Sequence, residues 1–596
     1  MPRGGAALIL LLAGCATRAA PAAAATQGPP TQGTPTQAPA NPGPTTTPPA
    51  LRAVVTIVVD QLAAWIAAER WPELPADGGF ARLRREGLYV RQLRYDHAST
   101  DTAPGHSALY TGETPRESGI VANDIIPPDR TDGVSILADD AQDLLIPGGT
   151  TKAKRGSSLA RLHGATLADV LRAHDAEAVV YSFSLKDRGA LFGGGRHPTL
   201  ALWLDSGEQT FVSSTAFGTA IPDWAVPFAG RDAVRAACVR AWTEPLDRKW
   251  VEAHALTPDP EPGEGNLGGL GTQFPHAVPN AKTVRATPAG DQLLLDLARA
   301  AIAHPAPAPH PTLLAISFSS NDYVGHVFGP DSWEAWDELR RLDQRLGELL
   351  AALDAAFGKD HYAVMLSGDH GVSALPELAG RAHEAACRRT AVAGFDRGAD
   401  VADCRLGPRS LPADIVAALE AAWQRELGTS AGGPLIAGMA DSLIFLNARG
   451  LALGLEERAR LARAGAAALH DRFGIDEVVD VRATAAPCPP ASDESRDALV
   501  CRSVRRNGPG DFDLVVAPRA FFDARYTPGA GANHGSPYLY DRAVPLLVRA
   551  PGRVAAGVVR EQPVHFAAFV RTAASLLGVP PPTTAGAGED LSAPAH

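Results

Sequence analysis

Six side chains able to bind a divalent cation stand in four short segments: Asp60 in VVDQ, Asp322 and His326 in SNDYVGH, Asp369 and His370 in SGDHG, and His534 in ANHGSP. Asp322 and His326 are four apart, a spacing that puts both on one face of a helix. Asp369 and His370 are adjacent, so they point at one place only from a loop, and the glycines flanking them permit one. Carboxylates and imidazoles without thiolates suit a metal with open coordination positions, and catalytic zinc is the usual occupant of such mixtures. Six protein ligands suffice for two metals at three each, which leaves positions for a nucleophile and a substrate oxygen as in two-metal phosphoryl transfer.

TDTAPGHSALYTG offers a hydroxyl, Thr102, as a candidate for that nucleophile. With Pro104 in the first turn of a helix, the Thr102 oxygen lies at a helix N-terminus, where the dipole favours anions. A Thr in front of Ala-Pro is, taken alone, more often only a cap. In SLKDRG, Lys186 and Arg188 lie two apart and project to one side of an extended chain. Arg grips two phosphate oxygens in a fork while Lys adds a point charge. Asn123 in VANDII offers an amide donor. His106, His197 and His276 are read as structural, since only proximity to the motifs recommends them.

The elements that must position these groups are legible as runs. LRAVVTIVVDQ, EAVVYSFSLKDRG, PTLLAISFSSND, HYAVMLSGDHG and AVPLLVRAPG are each apolar and then turn polar, the pattern of strands buried on both faces. GDQLLLDLARAAIA and SWEAWDELRRLDQRLGELLAALDAAFG between them have helical periodicity. The alternation predicts an α/β fold with a central, mostly parallel sheet flanked by helices. In such sheets ligands bind beyond the carboxyl ends of the strands, where the candidate residues fall. The stretch 379–511 interrupts the core strands with helices such as LPADIVAALEAAW and is expected to form a smaller inserted subdomain.

The ends and the composition set the context. MPRGGAALILLLAGC has one Arg, a short apolar run and a lipobox-like LAGC, so residues 1–15 read as a lipoprotein-type export signal and Cys15 as a lipidation site in the periplasm or cell envelope. Residues 16–50 are rich in Ala, Pro and Thr and read as a disordered tether. Residues 51–585 form the catalytic domain and 586–596 a tail. A balance of 55 Lys+Arg against 66 Asp+Glu, net charge −11, opposes any general attraction to nucleic acid or anionic lipid. The only expected membrane contact is the lipid anchor. Export permits disulfides, and Cys387 with Cys404 and Cys488 with Cys501 are the local pairings, leaving Cys238 as a buried thiol.

Taken together, VVDQ, TDTAPGHSALYTG, VANDI, SLKDRG, SSNDYVGHVFGP, SGDHG and NHGSPYLYD resemble the alkaline phosphatase superfamily, and within it the phosphate-irrepressible, PafA-type enzymes of bacteria. The resemblance runs over about residues 52–585 with the motifs in the family's order. It implies two Zn2+ ions, one held by Asp322, His326 and His534, the other by Asp60, Asp369, His370 and the Thr102 oxygen. It implies that Thr102 is transiently phosphorylated and that Asn123, Lys186 and Arg188 contact the phosphoryl oxygens of small phosphate monoesters. The nearest alternative, a nucleotide pyrophosphatase or phosphodiesterase, shares the metal site but, by resemblance, lacks the K-x-R pair. A sulfatase needs a Cys or Ser followed by x-P-x-R, which Thr102 does not have. A non-catalytic surface binder would use a metal site closed by four ligands.

Overall fold

Strand Ala53–Val59 is buried along its whole length and its alternate residues enter two different cores. Val55, Ile57 and Val59 join Leu294, Leu342 and Leu346 on one face. Val54 and Val58 join Leu109, Leu191 and Phe569 on the other. The period of two follows from the pleat. Burying each such aliphatic side chain contributes on the order of 1.5–3 kcal/mol. Thr56, the polar residue of the run, is satisfied by a 3.0 Å hydrogen bond with the Tyr110 hydroxyl.

This computed structural model describes residues 49–592 apart from 129, 131, 392–403, 429–431, 524–525, 583–585 and 587. The expected signal, Cys15 and all but the end of the tether lie outside the described residues.

Among the described residues the main sheet has twelve strands. Its centre runs Tyr362–Ser367, Ala53–Val59, Thr312–Phe318, Val179–Ser184 and Leu200–Asp205, all parallel, with Ile57 opposite both Ile316 and Leu366. Beyond Tyr362–Ser367 lie Ala543–Arg549 and then Leu88–Arg94, each antiparallel to its neighbour. Beyond Leu200–Asp205 the antiparallel Thr210–Ser214, Leu144–Ile146 and Thr150–Lys152 follow. The parallel character is thus confined to the middle. Short turns such as Ser206–Gln209 join antiparallel neighbours, whereas each parallel step needs a crossover. Helices Pro288–Ile302 and Trp333–Phe357 are such crossover helices and pack on one face.

A second sheet, of four antiparallel strands, is built from Ile436–Ala440, Leu443–Leu446, Phe512–Val516 and Ile475–Asp480. It has its own core, in which Trp423 and Leu461 from helices Pro412–Leu427 and Leu455–Phe473 pack on Ile444 and Phe512. Its strand Phe512–Val516 follows the stretch from about 379 to about 511 expected to form the inserted subdomain. Arg458, fully buried, places its Nε 3.0 Å from both carboxylate oxygens of Asp480 and ties helix to sheet.

Both expected disulfides, Cys387–Cys404 and Cys488–Cys501, are present. Cys238, expected to be buried, is a half-buried free thiol closing helix Arg231–Cys238.

Four of the five central strands deliver a polar residue just past their carboxyl ends: Asp60, Lys186, Asp322 and Asp369. Helix Thr102–Thr111 lies directly against one of these ends. A Cβ on Gly105 would stand 2.3 Å from the Asp369 carbonyl oxygen, so the Ala-Pro-Gly turn needs a glycine to let the two backbones meet.

Candidate active site

The three carboxylates Asp60, Asp322 and Asp369 are fully buried and close together. Water solvates none of them, so each must find a cation or a donor. Asp60 and the Asp369 Oδ2 accept no well-aligned hydrogen bond from the protein. Their neighbours are cationic nitrogens: Lys186 Nζ lies 2.7 Å from Asp60 Oδ2 and 2.6 Å from Asp322 Oδ2. The same ammonium donates to Thr102 Oγ1 at 3.1 Å. Lys186, expected on the phosphoryl oxygens, lines the cavity and also reaches these two carboxylates, since a buried pair of negative charges attracts an ammonium strongly.

The three expected imidazoles are fixed alike. The Nδ1–H of His326 donates to the Ala532 carbonyl at 2.9 Å, that of His370 to Gly371 at 3.0 Å and that of His534 to Thr100 at 2.7 Å. Every Nε2 therefore faces inward, the tautomer a metal ligand requires. His326 Nε2 lies 3.2 Å from Asp322 Oδ1 across one turn of helix Ser320–Phe328, as the spacing predicts. His370 Nε2 stands 3.4 Å from Asp60 Oδ1 and 3.5 Å from Asp369 Oδ2. The His370 and His534 rings stack at 3.7 Å.

Two groups have donor atoms near enough to share one ion. Asp60, Asp369 and His370 form the first. Asp322 and His534 form the second, together with His370, which sits between the two; His326 reaches it through Asp322. A third group, His383 with Cys387 and Cys404, has its sulfurs in a disulfide and offers no thiolate.

The field inside this nest is strongly negative. Burial and the carboxylates of Asp322 and Asp369 push Asp60 above its ordinary range. Burial opposes charge on His370, yet Asp369 and Asp60 push it up to about 10. His534, by burial and the neighbouring His370, is pushed down to about 4 and is neutral. A field that holds a proton this firmly also draws a divalent cation to the same Nε2 and carboxylate oxygens. The donor set fits zinc.

Thr102 opens helix Thr102–Thr111 with Asp101 as its N-cap, and its hydroxyl lies 3.5 Å from His370 Nε2. It lines a cavity of about 100 Å3 with Asn123, Lys186, Arg188, His326 and His534. Lys186 caps helix Asp187–Gly194 and Arg188 is its second residue, so the pair reaches the cavity from a strand-to-helix turn rather than from an extended segment. Arg188 Nε has no partner among the described residues. The Asn123 side-chain oxygen accepts the Ala103 N–H at 2.8 Å.

Sequence reasoning passed over several contributors. Gln61, in the left-handed region at φ 68°, donates its N–H to Asp369 Oδ1 at 3.0 Å and its amide to Asp322 Oδ1 at 3.1 Å, bridging the two groups. Its position directly after Asp60 in VVDQ was the available signal. His106, read as structural, hydrogen-bonds the Thr102 carbonyl at 3.0 Å and the Ser317 hydroxyl at 2.9 Å, and its Nδ1 also stands 3.0 Å from Asp369 Oδ2. His276, in contrast, pairs with Glu334 at 2.8 Å away from the cavity, and His197 is exposed. Asp441, Ser442, Phe522 and Tyr526 also line the cavity, and no sequence motif marks them.

Residues 54–389 match the type I phosphodiesterase / nucleotide pyrophosphatase family, and the chain belongs to it. Over 338 residues it is 33% identical to alkaline phosphatase PhoV of Synechococcus elongatus, a match covering 54% of this chain and 60% of that protein. Over 341 residues it is 32% identical to alkaline phosphatase PafA of Elizabethkingia meningoseptica, covering 55% and 61%. The matches span about three fifths of the length of these curated relatives. The crystal structure of wild-type alkaline phosphatase PafA superposes with a TM-score of 0.76 at 25% identity, covering 92% of this chain and 99% of that one. The likeness to PafA-type alkaline phosphatases read from the motifs therefore holds for the fold.

Zinc added to chelator-stripped protein is expected to raise the melting temperature, since an ion bound only by the folded state stabilises it. Replacing Asp60 and Asp369 together by Asn should remove most of that rise, which thermal melts with and without zinc will measure.

Proposed function

We propose that the chain is a zinc-dependent phosphate monoester hydrolase that works through a phosphothreonine intermediate and releases inorganic phosphate. One observation carries the reading: Thr102, Lys186 and Arg188 share one small cavity with His326 and His534, and the Thr102 hydroxyl lies 3.5 Å from the Nε2 of His370, a member of both carboxylate and imidazole groups. The names of the PhoV and PafA relatives support it.

Thr102 releases its hydroxyl proton to solvent as its oxygen attacks phosphorus in line with the leaving oxygen, a Thr–O–P bond forms as the ester P–O bond breaks, and the leaving alkoxide takes a proton back from solvent. Lys186, Arg188 and Asn123 bind the non-bridging oxygens. Burial opposes the charge on Lys186, but Asp322 and Asp60 push its pKa upward, so it remains an ammonium. Two ions held by Asp60, Asp369 and His370 and by Asp322, His326 and His534 would supply Lewis acidity at the nucleophile and the leaving oxygen. Water then cleaves the phosphothreonine and regenerates the hydroxyl.

A second reading, a nucleotide pyrophosphatase or phosphodiesterase, is favoured by the family to which residues 54–389 belong. A diester carries one negative charge and has one oxygen blocked, so it makes poorer use of two adjacent cations than a monoester dianion does. We further propose that the protein is exported and lipid-anchored at Cys15.

Thr102→Ala should abolish turnover while leaving zinc content nearly unchanged, and acid quench of the parent with labelled monoester should trap a phosphoprotein that the variant lacks. Near-parental turnover by the variant would overturn the nucleophile. Cys15→Ser should move the protein from the membrane to the soluble fraction on cell fractionation, and a wild type already soluble would overturn the anchor.

A further inference from the structure

Asp441 stands at the tip of the tight hairpin joining Ile436–Ala440 to Leu443–Leu446, with Ala440 paired to Leu443 and its own φ at 49°. It belongs to the second sheet, outside the family-matched residues 54–389. Its Oδ2 accepts two successive backbone N–H groups of the main domain, from Asn123 at 2.6 Å and Asp124 at 3.2 Å. Asn123 is thereby held at both ends. Its backbone is gripped by Asp441, and its side-chain oxygen by the Ala103 N–H in the first turn of the Thr102 helix.

Asparagine has one acceptor oxygen and two amide hydrogens. With the oxygen committed to Ala103, only the NH2 remains to serve the cavity that Asn123, Thr102 and Asp441 line together. A slip of the segment ahead of strand Asp124–Ile125 would swing that donor out of the cavity it shares with Thr102, and a misplacement of about 1 Å is enough to cost much of a positioned interaction. The hairpin lies 318 residues further along the chain from Asn123.

We infer that Asp441 is a positioning residue of the phosphoryl site, holding the Asn123 amide against Thr102 and making the second sheet part of the active centre. The inference rests on the reading of Asn123 as a donor to the phosphoryl oxygens. Asp441→Gly removes the acceptor without straining a left-handed backbone, while Asp441→Asn keeps an acceptor oxygen and tolerates the same φ.

The test is kcat/KM for an aryl phosphate in the zinc-loaded full chain, for wild type, Asn123→Ala, Asp441→Gly, Asp441→Asn and the Asn123→Ala/Asp441→Gly double variant. Asp441→Gly should lose about tenfold and Asp441→Asn should recover most of it. In the Asn123→Ala background the Gly substitution should cost less than about twofold, because the group it positions is gone. Asp441→Ser, whose hydroxyl stops short of both amides, runs the same cycle where Asp441→Gly is poorly folded. An equal loss in both backgrounds, or an Asn variant as impaired as the Gly variant, would overturn the inference while leaving the monoesterase reading intact. Full activity of Asn123→Ala would instead remove the donor role of Asn123, and the inference with it.

Discussion

Three fully buried carboxylates converge at the carboxyl ends of a parallel sheet, and the surroundings of the site are shaped by the need to compensate them. Moving an ionised carboxylate out of water costs several kcal/mol even after relaxation. That cost is met here by an ammonium within 2.7 Å, by imidazoles fixed through Nδ1, and by the two donors of Gln61. The same buried carboxylates and imidazoles have donor atoms close enough together to share a metal ion. In a protein of net charge −11, Lys186 and Arg188 place positive charge locally in the wall of this cavity.

The strands explain why the carboxylates can be brought so close. Neighbouring parallel strands are about 4.8 Å apart, so side chains just past their ends meet without further folding. Asp60, Asp322 and Asp369 leave three adjacent strands in this way, and Lys186 leaves the next. The helix carrying Thr102 approaches through Gly105, which lets the helix backbone meet that of Asp369.

Much of this was legible in the sequence because it is local. Runs of β-branched residues ending in Asp predicted strand and position together, the Asp322 and His326 spacing predicted a shared helix face, and short separations suggested both disulfides. What was not legible depends on distant pairings. His106 carries no pattern that distinguishes a core histidine from one oriented on Asp369, and Asp441 reaches Asn123 only because a second sheet folds against the first. The contacts of Lys186 with Asp60 and Asp322 were hidden too, since strand order, not spacing, brings the three together. The sheet itself reads as parallel from its central runs, whereas its antiparallel flanks come from shorter segments with weaker signals.

The central claim is that two cations beside Thr102 select a monoester dianion over a diester monoanion. Charge-assisted hydrogen bonds contribute on the order of 1.5–3 kcal/mol each, and about 1.36 kcal/mol is a factor of ten in rate. The most direct measurement is kcat/KM for an aryl phosphate and its methyl diester, in the zinc-loaded wild type and the Lys186→Ala/Arg188→Ala variant. The account predicts a wild type that prefers the monoester and a double variant that loses roughly two to four orders of magnitude on it and far less on the diester. A wild type preferring the diester, or equal losses on both substrates, would contradict it.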